Sequence, residues 1–168
     1  MKDNIILMGF MGCGKTSIGI RLSDALKRTV VDTDQYIEQK QNKTISRIFA
    51  SEGEAAFRQM ETQCLKDLIQ SVDGLIISIG GGLPIRQENH ALLAQLGKVI
   101  YLKATPEAIY DRLKSDTTRP LLQVDNPQAK IREMIAQREP IYAKCADWTV
   151  EVSGQTLDEI VELIIAQL

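Results

Sequence analysis

Histidine is nearly absent from this sequence, and its cysteines do not pair. One histidine (His90) and three widely spaced cysteines (Cys13, Cys64, Cys145) among 168 residues offer no CxxC spacing and no Cys/His grouping of the kind that holds a metal. An odd, scattered set of cysteines suits a reduced, cytoplasmic chain. A basic excess is also lacking. The 20 Lys and Arg against 22 Asp and Glu give a net charge of −2, which argues against a general nucleic-acid or membrane-surface binder. Any anionic ligand must be held by local arginines and not by a global field. No apolar run approaches the roughly 18 residues that a membrane span needs. The N-terminus starts on a strand-like run with no signal peptide before it, again as expected of a cytoplasmic protein. Internal repeats, low-complexity tracts and linkers are missing, so one domain over residues 1–168 is expected. A monomer is the default, because no extra exposed apolar element stands out.

What is present is ordinary globular material: 44% apolar and 25% charged residues, in a chain long enough to bury roughly 70% of its extended surface. Short β runs alternate with longer helical ones. Ile5–Met8 is a continuous apolar run ending at Gly9, as a strand buried on both faces would be. Further strands are expected at 29–31, 75–79, 98–102 and 148–152, with helices near 15–27, 33–42, 53–72, 88–95, 105–115, 126–144 and 156–168. Capping boxes are read at Ser51/Glu54 and Thr156/Glu159, and Thr105-Pro106 places a capping hydroxyl before a first-turn proline. Phe57, Met60, Cys64, Leu68 and Val72 recur at helical spacing and read as core. The alternation predicts an α/β protein of three layers, α/β/α, with a central five-stranded parallel sheet and ligands at the C-terminal strand ends.

Gly9-Phe10-Met11-Gly12-Cys13-Gly14-Lys15-Thr16 matches G-x4-G-K-[ST], the phosphate loop of P-loop NTPases. Glycines let the backbone wrap a phosphate with its N–H groups inward, and the following helix adds free donors and a positive dipole end. Lys15 reaches the β- and γ-phosphates, while the Thr16 hydroxyl ligates Mg²⁺. The context also fits, with an apolar strand before and the amphipathic Ile18, Leu22 and Leu26 after. A phosphate loop identifies ATP as the nucleotide class but leaves the reaction open.

Other features narrow the reaction. Asp32 and Asp34 stand at i and i+2, so in an extended segment both carboxylates point one way. One could approach the metal and the other a substrate hydroxyl; equally, an aspartate there could simply cap the next helix. Gly80-Gly81-Gly82 at a strand end implies close approach of a ligand to the backbone, or a turn. Arg58 lies off the Phe57 stripe and can point into a cleft. Lys114 to Asp125 has the length and polarity of a mobile lid, and Arg119 within it could stabilise charge on a transferred phosphoryl group. Pro140 interrupts a long helical pattern just after Arg138, where a kink would set the arginine's direction. His90, in a polar helix start, is expected to be merely exposed.

With these residues together, the chain resembles the shikimate kinase family from about Ile5 to its last helix. The signatures stand here as GFMGCGKT, DTDQYIE, IFASEGEAAFRQMET, GGGLP, RPLL and REPIY. The resemblance implies transfer of the γ-phosphate of ATP to the 3-hydroxyl of shikimate. It assigns ATP to Gly12, Cys13, Gly14, Lys15, Thr16, Ser17, Arg112 and Arg119, with Arg112 stacking on adenine. Shikimate falls to Asp34, Arg58, Gly80, Gly81, Gly82 and Arg138, the two arginines taking its carboxylate. Asp34 orients or deprotonates the attacking hydroxyl, with Lys15 and Arg119 completing the catalytic set. Mg²⁺ is held by Thr16 and, through water, by Asp32. The segment 33–60 would form the substrate-binding helical region. A Ser/His or Cys/His nucleophile is not needed for such a reaction.

Cys13 occupies a loop position where the family often has Ser, Thr or Ala. A helix N-terminus favours thiolate, so Cys13 is either reactive or inert and merely tolerated. Rival readings are a kinase for another hydroxylated acid such as gluconate, a nucleoside monophosphate kinase, and an ATP-binding module without turnover. Arg58 with Arg138 and the RPLL lid disfavour the first. No base-recognition pocket supports the second, and the intact Lys15, Thr16, Asp34 and Arg119 disfavour the third.

Overall fold

The computed structural model describes residues 2–71, 73–119 and 122–168. Five strands, β1 (Ile5–Met8), β2 (Val30–Asp32), β3 (Ile76–Ser78), β4 (Lys98–Lys103) and β5 (Trp148–Glu151), form one parallel sheet in the order β2-β3-β1-β4-β5. β1 runs between two parallel neighbours, Ile5 opposite Ile76 on one side and Lys98 on the other. Its four residues are at most 1% exposed. That explains the unbroken apolar run: a strand covered on both faces has no polar side to alternate with.

Helices α1 (Lys15–Leu26), α2 (Thr33–Gln41), α3 (Ile45–Glu52), α4 (Glu54–Gln70), α5 (Glu88–Leu96), α6 (Pro106–Leu113), α7 (Pro127–Cys145) and α8 (Leu157–Gln167) complete a three-layer α/β/α fold. α1 packs against α8 and against the strands β1 to β3, while α5 and α7 pack on β4 and on each other. Each crossover returns the chain so that β1, β2 and β3 all end at the same edge of the sheet. No helix of the described residues is long and apolar enough to cross a membrane.

Most elements fall where the pattern predicts, and the differences have identifiable causes. The pattern places helices at 33–42 and 53–72 with none between, yet α3 occupies Ile45–Glu52. Asn42 adopts a left-handed conformation (φ 51°) that ends α2, and Thr44 then caps α3 with its hydroxyl accepting from Arg47 N. Ser51 is therefore no cap. It lies inside α3 with its hydroxyl donating to Arg47 O, and Gly53 makes the corner into α4. The Thr156/Glu159 box and the Thr105 cap are both formed. Pro140 does not end α7, which runs on to Cys145. In the α4 stripe Phe57, Cys64 and Leu68 are buried, and Met60 packs against the core from a partly buried position. Val72 lies outside the described residues. His90 is half-buried, and its Nε2 lies 2.7 Å from Pro84 O.

Asn4, 1% exposed, clips the sheet together at its N-terminal edge. Its amide donates to Leu96 O (2.8 Å) and its carbonyl accepts from Leu75 N (2.9 Å). Asn4→Ala should orphan both backbone groups, at about 1–3 kcal/mol each, and lower Tm by several degrees. Thermal denaturation followed by circular dichroism checks this; an unchanged Tm would show that water replaces the amide.

Candidate functional site

The C-terminal ends of β1, β2 and β3 open into a cleft of about 660 Å³. Its floor is the loop from Met11 to Ser17, which leaves β1 and enters α1. Gly12 and Gly14 take positive φ values, 79° and 101°, which an L side chain rarely adopts. Gly14 is the N-cap residue of α1 and has no side chain to satisfy the first N–H groups. The helix start is thus open to an anion. Lys15 folds over the loop, donating to Gly9 O (2.7 Å) and Phe10 O (3.2 Å).

Cys13 is 1% exposed with its thiol in the core, 3.8 Å from Lys15 Nζ. Burial favours the inert alternative for this cysteine, since reactivity needs access as well as thiolate.

One wall comes from β2. Asp32 caps α2, its Oδ1 accepting from Asp34 N (2.9 Å) and Gln35 N (3.1 Å). Asp32 and Asp34 both line the cleft, so capping and cleft-facing are compatible. Burial, reinforced by the charge of Asp32, raises the Asp34 carboxyl above its ordinary value, and Lys15 opposes the shift. A raised carboxyl is better matched to taking a proton near neutral pH.

The second wall is the turn after β3. Gly80 N donates to Thr33 Oγ1 (3.1 Å), and Gly80 O accepts from Leu83 N (3.1 Å). Side chains crowd this turn. A Cβ on Gly80 would lie 3.0 Å from Asp34 Oδ1 and 3.3 Å from Glu61 Oε1; one on Gly82 would lie 2.4 Å from Arg58 Nη1. Gly80 and Gly81 line the cleft, whereas Gly82, Arg58 and Arg138 are not part of its lining. Arg58 packs against Gly82, and Arg138 Nη1 is 3.6 Å from where a Gly81 Cβ would stand. The Arg138 guanidinium lies over the Phe10 ring, 5.5 Å from its centroid.

At the far end, Arg112 Nη1 donates to Gly12 O (3.0 Å), and Gln155 and Leu157 join the lining. Arg119, also in the lining, donates through Nε to Asp116 Oδ2 (3.0 Å), and its Nη1 lies 3.8 Å from Met11 Sδ. Pro120 and Leu121 of the RPLL motif lie outside the described residues.

Gln155 and Glu61 are among the residues here that sequence reasoning did not single out. Gln155 follows the Gly154 turn (φ 77°) directly before the Thr156 cap, and the cap marks a helix start without showing that the preceding residue faces a cleft. Glu61 is the other. It is 1% exposed, and its Oε2 accepts from Arg58 Nη1 (2.8 Å), while Glu54 holds Nη2 (3.3 Å). An i, i+3 Arg–Glu spacing was a visible signal, but nothing in the spacing distinguishes a buried pair from a surface one.

A strand-order switch beside β1, a phosphate loop beneath it and paired carboxylates alongside define a P-loop kinase. The fold alone is shared with a deoxyadenosine kinase from M. mycoides solved with dATP bound (TM-score 0.64, 16% identity, 98% of each chain covered). Sequence narrows the class. The family model for shikimate kinase matches residues 11–168. A shikimate kinase from Thermodesulfovibrio yellowstonii is 42% identical over 164 residues, covering 98% of this chain and 94% of that protein. A shikimate kinase from Acinetobacter baumannii, solved in complex with shikimate, superposes with a TM-score of 0.90 at 37% identity, covering 99% of this chain and 93% of the other. The chain belongs to the shikimate kinase family.

Burial pushes the Glu61 carboxyl from 4.5 up to about 7, against the pull of Arg58 and with the charge of Asp34 adding to the rise. A folded value above the unfolded one favours the fold fully below about pH 4.5, and that contribution is lost as pH rises through about 7. Glu61→Gln should therefore flatten the Tm profile between about pH 5 and pH 8, with wild type losing stability relative to the variant as pH rises. Parallel Tm profiles for the two proteins would show that Glu61 ionises like an ordinary surface acid.

Proposed function

We propose that the chain transfers the γ-phosphate of ATP to the 3-hydroxyl of shikimate, with the cleft divided between the two substrates. The observation that carries this is the juxtaposition of the phosphate loop, Asp34 and the Gly80–Gly81 turn in one cavity. Loop N–H groups, Lys15, Thr16 and Ser17 hold the triphosphate, and Arg112 flanks the base. Arg119, tied to Asp116 beside Met11, neutralises the phosphoryl group as it moves. Asp34 accepts or orients the proton of the attacking hydroxyl. Shikimate's carboxylate pairs with Arg58 and Arg138, and the backbone of Gly80 to Gly82 meets its ring oxygens. A carboxylated polyol asks for this combination of guanidinium groups and acceptors.

Mg²⁺ fits the donor set. Thr16 offers a hydroxyl and Asp32 retains a carboxylate oxygen beyond the one that caps α2. Among the described residues no group of three or more His, Cys, Asp or Glu side chains could hold a metal alone. Hard, few and oxygen-based protein ligands suit an ion that keeps its waters and the nucleotide phosphates. When bound, it would neutralise charge on the β- and γ-phosphates.

The segment 33–60 acts as the substrate-binding region and 114–125 as the lid, so that closure excludes water as a competing acceptor. The reading takes the chain as a monomer with residues 1–168 in one domain, and the three free cysteines accord with a cytoplasmic location.

ADP release measured in a coupled assay with shikimate, gluconate and nucleoside monophosphates tests the reading directly. Stimulation by shikimate alone is expected; its absence would sink the proposal. Asp34→Asn should lower kcat by about 10²–10⁴-fold with nucleotide affinity retained. Arg58→Ala should chiefly raise the KM for shikimate, and an unchanged KM would remove Arg58 from the carboxylate site.

A further inference from the structure

Three consecutive glycines form the turn that meets the phosphate loop, and glycine has more backbone freedom than any other residue. A recognition surface made of glycine backbone is useful only if something outside it holds each peptide still. Four hydrogen bonds do so. Thr33 Oγ1 accepts from Gly80 N, Leu83 N donates to Gly80 O, and Ile85 N donates to Gly82 O (3.2 Å). The fourth comes from α7: the Tyr142 hydroxyl donates to Gly81 O at 2.6 Å.

Tyr142 is built into the core for this contact. It is 1% exposed, and its ring packs on Tyr101 with centroids 5.2 Å apart at 53°. Tyr142 also sits one helical turn after Arg138, whose Nη1 approaches the same glycine. A trans peptide is rigid, so holding Gly81 O also sets the direction of the Gly82 N–H. Leu83 N sets the preceding peptide in the same way. Among the described residues, no backbone acceptor takes the N–H of Gly81 or Gly82. Those donors remain for a ligand.

We propose that Tyr142 is a positioning residue for the acceptor substrate: its hydroxyl locks the Gly81–Gly82 peptide and fixes that turn's distance from Arg138 on the same helix. The proposal rests on the assignment of shikimate to this end of the cleft. A ligand carrying a carboxylate at one end and ring hydroxyls at the other would be measured between Arg138 and the turn. Without the hydroxyl the glycine peptides sample other orientations, and each binding event must select the competent one. The nucleotide half of the site touches Tyr142 through none of these contacts.

The test is Tyr142→Phe, which removes the hydroxyl and keeps the ring on Tyr101. Tyr101→Phe serves as control, since it removes a neighbouring buried phenol that does not bond the turn. Steady-state kinetics for both substrates and Tm are measured for each protein. For Tyr142→Phe the KM for shikimate should rise about tenfold, the loss of one hydrogen bond, while the KM for ATP stays within about twofold. Tyr101→Phe should leave both KM values near wild type. An unchanged shikimate KM in Tyr142→Phe would overturn the proposal. So would equal rises in both KM values with a fall in Tm, because that would mark a merely structural tyrosine. If wild type turns over a different hydroxylated acid, the substrate assignment fails first; the split between acceptor and ATP then tests Tyr142 with that acid.

Discussion

The site depends on two backbones coming within contact distance. A Cβ on Gly81 would lie 3.3 Å from Gly9 O, so the turn after β3 and the loop after β1 touch with nothing between them. This follows from pairing β1 and β3 as parallel neighbours, Ile5 with Ile76 through Leu7 with Ser78. Parallel strands of matched register end at the same height, and whatever loops they carry must then abut. At the point of contact the turn carries Gly81, where a side chain would push against the Gly9 carbonyl. β2 joins on the far side of β3 and delivers Asp32 and Asp34 to the same edge. The phosphate end and the acceptor end of a transfer reaction are brought together by strand order before any side chain is considered.

Around that contact the electrostatics are local, as a net charge of −2 requires. Arg58 is half-buried and held by Glu61 and Glu54, which keeps the guanidinium aimed where a flexible side chain would otherwise wander. Glu61 is desolvated for the sake of that grip, and burial raises its carboxyl towards neutrality. Desolvation acts on Asp34 too, with the neighbouring Asp32 charge pushing the same way. The cleft carboxylate of Asp34 and the carboxylate that anchors Arg58 are thus shifted the same way by the same dry surroundings. The Gly80 turn passes between them, its absent Cβ within 3.3 Å of both.

Most of the fold was legible in the sequence because its signals are short-range. β1 reads as buried from four consecutive apolar residues, α1 from its glycine entry and apolar stripe, α8 from its capping box. The phosphate loop was legible because there the residue types are themselves the chemistry. The misses share a different cause. Ser51 looked like a cap because Glu54 follows at the right spacing, yet the left-handed Asn42 had already started a separate helix that absorbed it. Glu61 and Tyr142 were not singled out because their roles depend on partners across the fold. An acid three residues after an arginine is commonplace on a helix surface, and a tyrosine says nothing of which carbonyl it will meet. Tertiary burial, not local pattern, turns each into part of the site.

Asp32 shows how the two kinds of information combine. Its sequence position allowed a helix cap or a cleft-facing carboxylate, and the structure has both in one side chain. The combination has a physical logic. Two N–H donors to Oδ1, from Asp34 and Gln35, fix the side-chain rotamer. Capping uses Oδ1 alone, and it holds the second oxygen in place at the rim of the cleft. The helix that starts at Thr33 therefore serves the site before it serves the fold: it immobilises a carboxylate through its own first turn, and one residue further on it carries Asp34 into the cleft.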